Sequence, residues 1–143
     1  MLVAKRSIVP MLAALFMLAA TRAEDADTLF VDLGGRDGIE KIAQLTTSGL
    51  LADPRIKAQF ANTNMDRFEK LLAAQFCVVA GGPCEYKGRS MADAHKALGL
   101  RNADFNAVVE DLEEAMDQAG VPYAVQTRLL ARLAPMEHDV VTK

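Results

Sequence analysis

Cysteine is scarce in this chain, and basic residues are neither numerous nor clustered. The 143 residues include two cysteines, and 16 lysines and arginines stand against 19 aspartates and glutamates. An acidic chain without a basic stripe is a poor match for the phosphate backbone, so no nucleic acid is expected as a partner. Internal repeats, low-complexity runs and Ser/Gly-rich linkers are also absent. We therefore expect a single folded domain.

The N-terminus is typical of a secretory signal peptide. A short positively charged start precedes an apolar run over residues 7–20, and small residues follow up to Ala23. Cleavage after Ala23 would remove residues 1–23 and leave a domain of residues 24–143 in the periplasm or outside the cell. The alternative is an uncleaved N-terminal anchor. No second long apolar run occurs, so stable membrane insertion is not expected after cleavage.

No stretch of useful length alternates apolar and polar residues as a strand would, and the periodicity is helical throughout. The fold class predicted from this pattern is all-α. Apolar spacing, capping residues and glycine or proline stops predict helices over 26–33, from Asp37 to Pro54, 64–80, after Ser90, 102–119, and from Pro122 to Pro135, with an irregular or 3₁₀ turn over 54–61.

Cys77 and Cys84 are the only cysteines, and both lie in the predicted mature domain. In an exported protein an even pair favours a disulfide. The turn at residues 81–83 brings the two positions close enough for one. Two free buried thiols are the alternative, and a metal site is less favoured because no third ligand lies nearby.

One histidine lies on an otherwise apolar helical stripe. After the cap at Ser90, residues Met91, His95 and Leu98 are spaced to share one helix face. An imidazole that faces inward needs a hydrogen-bond partner or a metal. A core histidine bonded to a backbone carbonyl and a metal ligand are both compatible with this spacing. His138, in a charged stretch near the C-terminus, is interpreted as a surface residue.

Several short motifs follow one another in a fixed order between residues 28 and 140. They are residues 29–35 (LFVDLGG), 51–56 (LADPRI), Phe60, 63–65 (TNM), Arg67, 81–83 (GGP), Tyr86, Gly88, Met91, 94–95 (AH), 99–100 (GL), 104–105 (DF) and 120–122 (GVP). Any one of these motifs is common, but the ordered set resembles a group 1 truncated haemoglobin. The resemblance implies a truncated globin, a two-over-two sandwich of helices that binds haem.

The resemblance assigns His95 as the proximal ligand, whose Nε2 binds the haem iron while Nδ1 bonds a backbone carbonyl or water. Phe60 matches the phenylalanine that packs against the porphyrin. Arg67 and Tyr86 match polar positions near the propionates. No Cys-x-x-Cys-His stretch is present, so the expected cofactor is non-covalent haem b. The other apolar positions that match the haem-lining set are Met91, Leu98, Leu100, Phe105 and Val108.

The distal side departs from many relatives. Where they carry a Phe-Tyr pair whose hydroxyl bonds the gas ligand, this chain has Thr46 and Thr47, and Leu72 stands where a glutamine is common. The distal pocket is therefore expected to comprise Thr46, Thr47, Phe68 and Leu72 and to be mostly apolar. Leu71, at a position where some relatives supply a sixth ligand, cannot bind iron.

An apolar distal pocket has consequences for the gas that binds. The Thr47 hydroxyl is short and is expected to bond its own helix, which leaves Gln75 or a water as the other possible donor. Without a donor, dioxygen binding should be weak or short-lived. Carbon monoxide and nitric oxide depend less on such a bond and should still bind ferrous haem.

Three functions remain open at this point. The resemblance favours an exported protein that binds a diatomic gas at haem iron. A haem enzyme, either a nitric oxide dioxygenase or a peroxidase-like protein, is the first alternative; the apolar pocket and the lack of a distal acid or base argue against it. A haem-free structural domain is the second, and His95 on an apolar stripe argues against it. The sequence does not identify the reductant or the oligomeric state.

Overall fold

The computed structural model describes residues 27–143, so the predicted signal peptide lies outside the described residues. Within this range the chain forms helices and turns and no strand, which confirms the all-α prediction. No helix of residues 27–143 combines the length and apolar character needed to cross a membrane. The elements are α1 (Leu29–Asp32), α2 (Gly35–Ala52), a 3₁₀ turn (Lys57–Phe60), α3 (Met65–Val79), α4 (Met91–His95), α5 (Asn102–Gln118), α6 (Tyr123–Leu133), a second 3₁₀ turn (Ala134–Met136) and α7 (Glu137–Val140).

The cap expected for α2 at Asp37 is wrong by three residues, since the N-cap is Gly34. Gly34 adopts a left-handed conformation with φ of 88°, and this reversal lets the helix begin at Gly35. Asp37 lies in the first turn, where its charge favours the helix dipole. Gly38 is needed for a different reason, because a Cβ there would overlap the carbonyl oxygen of Leu33.

The predicted cap of α4 is confirmed, and α3 begins one residue after its predicted start at Asn64. The Asn64 side chain accepts a bond of 2.9 Å from the backbone N–H of Arg67, and α3 begins at the next residue. Ser90 caps α4 by accepting a bond of 3.1 Å from the N–H of Asp93. The prediction for α5 is wrong by one residue, since Asn102 is the first helical residue instead of the cap.

The end of α3 is fixed by backbone hydrogen bonds and by a disulfide. Gly81, with φ of 78°, donates to Val78 O at 3.0 Å, and Gly82 donates to Cys77 O at 2.8 Å, which together form a Schellman motif. Cys77 and Cys84 form the expected disulfide. A Cβ on Gly82 would lie 2.7 Å from Cys77 Sγ, so only glycine fits this turn without a shift.

Two helix pairs make the sandwich. Helix α2 packs against both α3 and α5, and α6 packs against α3 and α5, so α2 and α3 cover α5 and α6. One apolar cluster fills the space between the pairs and includes Ile42, Phe76, Met116 and Leu129. A second, smaller cluster joins the C-terminal half of α2 to α5; it consists of Leu50, Ile56 and Ala107, with Phe60, Phe68 and Val108 packed against it.

A poorly solvated carboxylate lies where α5 meets α2. Asp111 faces Gly49, and a Cβ placed on Gly49 would lie 3.5 Å from the Asp111 Cβ. The Oδ2 atom of Asp111 is buried without a hydrogen-bond partner in the described chain. Burial raises the pKa of the Asp111 carboxyl, and the negative charge of Asp53 raises it further. Asp53 itself is ion-paired with Arg55 at 2.7 Å, and the Arg55 hydrogen bond lowers the pKa of Asp53.

We predict that Asp111→Asn stabilises the protein at neutral pH by on the order of 1 kcal/mol, because a desolvated charge is removed. A carboxyl with a raised pKa binds its proton more tightly in the folded state, so the wild type loses stability as pH rises through that pKa. The stabilisation by Asp111→Asn relative to the wild type should therefore be present at pH 7 and vanish under acid conditions. Thermal unfolding across this pH range measures it.

Glu113→Gln, on the exposed face of the same helix, is the matched control and should change stability little at any pH. A destabilised Asp111→Asn variant at pH 7 would show that the Asp111 carboxylate has a stabilising partner.

Candidate haem site

His95 ends α4, a helix of only five residues. Its Nδ1 lies 2.7 Å from the carbonyl oxygen of Met91, one turn earlier. A carbonyl only accepts, so Nδ1 carries the proton and the neutral ring keeps its lone pair on Nε2. The carbonyl partner is the one expected from the sequence, and Nε2 is left as a free ligand atom.

The site can supply one strong ligand but not a set of them. Among residues 27–143, no group of three or more His, Cys, Asp or Glu side chains is placed to hold a metal ion. A bare ion would need several such ligands. Haem iron, whose equatorial ligands belong to the porphyrin, needs only an axial one. The donor set at His95 therefore fits haem better than a free metal ion.

Most apolar side chains of the expected haem-lining set remain incompletely covered. Phe60 and Phe68 meet edge to face with ring centroids 5.3 Å apart, and both pack with Val108 against the second cluster. Leu98 is 45 % exposed, whereas Leu100 is buried. An apolar group seated here would cover surface that now contacts water. The half-buried members of the expected haem-lining set are Phe60, Phe68, Leu72, Met91, His95, Phe105 and Val108.

The two distal threonines differ in their hydrogen bonding. The Thr46 hydroxyl donates to Ile42 O at 2.8 Å, within its own helix. Thr47 is also buried, but its Oγ1 has no partner in the described part of the chain. The expectation that Thr47 bonds its own helix is therefore wrong, and Thr46 makes that bond instead. Thr47 lies one turn before Leu50, and Leu50 belongs to the cluster against which Phe60 and Phe68 pack.

Gln75 is not available as a distal donor in this arrangement. Its amide nitrogen donates to Met91 Sδ at 3.2 Å and to Met136 Sδ at 3.3 Å. Thioether sulfur only accepts, so both amide hydrogens are committed. These contacts could not be predicted from the sequence, because the partners lie 16 and 61 residues away and methionine has no characteristic spacing.

The polar residues expected at the haem edge lie on the outside of the molecule. The Arg67 side chain is exposed, and only its backbone N–H takes part in the cap of α3. Tyr86 is half-buried, and its hydroxyl donates to Arg89 O at 2.9 Å within its own loop. Propionate contacts by either residue stay predictions. His138 is exposed and lies 3.2 Å from Asp139, as a surface histidine would.

Comparison with known proteins gives a consistent result. The model of the bacterial-like globin family matches residues 28–142. A group 1 truncated haemoglobin of Tetrahymena thermophila is 38% identical over 94 residues, covering 66% of this chain and 78% of that protein. Another, GlbN of Mycolicibacterium paratuberculosis, is 28% identical over 126 residues, covering 88% and 93%.

A solved structure shares the fold. The crystal structure of the truncated haemoglobin from Tetrahymena pyriformis in its Fe(III) form matches with a TM-score of 0.78 and 32% identity, over 80% of this chain and 98% of that one. The chain belongs to the bacterial-like globin family, has the two-over-two fold of the truncated haemoglobins, and has the non-covalent haem b of that family as its cofactor.

Proposed function

We propose that this protein is an exported globin that binds a diatomic gas at haem iron, with His95 Nε2 as the proximal ligand. The observation that carries the proposal is the bond from His95 Nδ1 to Met91 O, which assigns the proton to Nδ1 and leaves the lone pair of Nε2 for a metal. The half-buried apolar side chains of the expected haem-lining set support it. Haem supplies the ferrous iron to which such a gas binds.

Different side chains are proposed to contact different parts of the cofactor. Phe60, Phe68 and Val108 offer apolar surface on one side, backed by the second cluster. Met91 lies one turn before His95 on α4, and Leu98 follows in the turn beyond the end of that helix. Arg67 and Tyr86 would meet the carboxylates at the solvent edge, where a guanidinium or a phenol suits an anion.

The distal side is proposed to be nearly devoid of hydrogen-bond donors. Thr46 is bonded to its own helix and Gln75 to two sulfurs, so Thr47 is the one distal hydroxyl without a partner in the described chain. A threonine hydroxyl is several ångströms shorter in reach than the tyrosine common in relatives. Dioxygen should therefore leave quickly, while carbon monoxide, which needs no such bond, is retained.

Export to the periplasm or beyond is part of the proposal. Residues 1–23 have the charge and apolar pattern of a signal peptide, and a disulfide persists best in an oxidising compartment.

The proximal assignment is tested by His95→Ala, with His138→Ala as the matched control. The His95 variant should lose the iron–histidine stretching band of the ferrous protein and should release haemin at least about tenfold faster, because the axial bond is gone. His138→Ala should match the wild type in both measurements. An unchanged spectrum in His95→Ala would falsify the assignment.

The distal assignment is tested by the dioxygen dissociation rate, measured by stopped flow. Leu72→Gln and Thr47→Tyr each introduce a donor and should slow dissociation by roughly ten- to a hundredfold, the effect of one charge-assisted bond. Thr47→Val keeps the shape and removes the hydroxyl, and it should leave the rate unchanged. A tenfold faster rate in Thr47→Val would mean that the Thr47 hydroxyl already bonds the gas.

A further inference from the structure

The helix that bears His95 cannot hold its own position. Five residues are far below the length at which a helix is stable alone. The preceding residues 85–89 make no backbone–backbone hydrogen bond among the described residues, and their bond to α4 is a long one from the Arg89 side chain to Asp93 O at 3.5 Å. The orientation of His95 must therefore come from contacts made by other parts of the chain.

Gln75 supplies one such contact from the distal helix. It lies on α3 on the same face as Phe68 and Leu72, spaced at four and three residues. Its amide reaches across to Met91, the first residue of α4, and to Met136 in the second 3₁₀ turn. Met91 is also the residue whose carbonyl accepts the His95 Nδ1 proton. A single residue thus links Gln75 to the imidazole.

Residues 134–143, the C-terminal segment, supply the other contacts. Helix α7 within it packs on α4. At its far end, the N–H groups of Thr142 and Lys143 donate to Leu100 O at 2.9 and 3.1 Å, just beyond α4. Gly99, with φ of 62°, leaves room there, since a Cβ would lie 2.8 Å from Lys143 Cε. The segment therefore follows α4 from its first residue to beyond its last.

We propose that Gln75 is a positioning residue for the haem ligand: together with Met91 and Met136 it forms a clasp that joins the distal helix, the proximal helix and the C-terminal segment. This inference rests on the proposed function of His95. When the clasp is intact, Met91 and its carbonyl hold the imidazole plane in one orientation. When it is broken, α4 loses this link to α3 and keeps its serine cap, the bond from Arg89 to Asp93 O and the contacts of the C-terminal segment.

The test uses the haem-loaded protein carrying Gln75→Leu, which removes both donors and keeps the side-chain volume similar. Haemin loss to excess apomyoglobin should be roughly three- to tenfold faster than in wild type, about the effect of one net hydrogen bond. The iron–histidine stretching band of the ferrous protein should shift or broaden, because the ring orientation is less restricted. Gln118→Leu, which removes only an exposed bond to Glu114 on α5, is the matched control and should change neither.

Met136→Leu removes one sulfur acceptor without a large change of shape, and it provides the same test if Gln75→Leu does not fold. Met136→Leu should accelerate haemin loss less than Gln75→Leu does, and it should shift or broaden the iron–histidine band less. The inference is overturned if Gln75→Leu leaves haemin loss and the stretching band as in wild type. It is also overturned if haemin loss rises only in proportion to a lowered thermal stability while the band stays unchanged, since that outcome describes a structural role alone.

Failure of the proposed function is recognised separately. It would appear as a wild-type protein that shows no iron–histidine band, or as a His95→Ala protein that keeps it, and neither result involves Gln75.

Discussion

The hydrogen bond from His95 Nδ1 to Met91 O is the contact on which the site depends. It uses a backbone carbonyl inside a single helical turn, so the geometry follows from the helix itself. By placing the proton on Nδ1 it determines which nitrogen can bind iron, and by tying the ring to the main chain it restricts the rotation of the imidazole. Everything that positions Met91 consequently positions the ligand atom as well.

The rest of the fold can be understood as support for that short turn. The α2–α3 and α5–α6 pairs bury a continuous apolar core and need nothing from α4. Helix α4 is held from outside by a serine cap, by methionine sulfurs and by the C-terminal segment. Because α4 contributes no residue to either apolar cluster, the cofactor proposed to bind at His95 would not require the core to rearrange.

Local signals predicted most of the architecture. Glycine marks the end of α3, which was placed within a residue at either end, and the Ser90 cap predicted the start of α4. The expectation that Leu98 shares a helix face with His95 is wrong, because α4 ends at His95. The start of α2 was missed because an aspartate resembles a cap, whereas the left-handed turn at Gly34 decides where the helix begins. The ordered motifs assign His95 as the haem ligand, an assignment that stays a prediction, whereas its spacing alone favoured a core histidine bonded to a backbone carbonyl.

The details of the distal side could not be predicted, since they depend on which of several acceptors a side chain reaches in three dimensions. Thr46 and Thr47 are adjacent and chemically identical, yet only Thr46 bonds the helix carbonyl. Gln75 finds two sulfurs that are distant in sequence. Neither set of hydrogen bonds can be predicted from the hydrophobic pattern of the sequence.

The turn between α3 and the disulfide has a consequence for maturation. The backbone bonds of Gly81 and Gly82 close this turn without help from sulfur, so the two thiols are neighbours before any oxidant reaches them. With only two cysteines in the chain, one intramolecular pairing exists and no shuffling between partners is required. Oxidation should therefore be a single local event that needs no isomerase, and it can take place in a domain that has already folded.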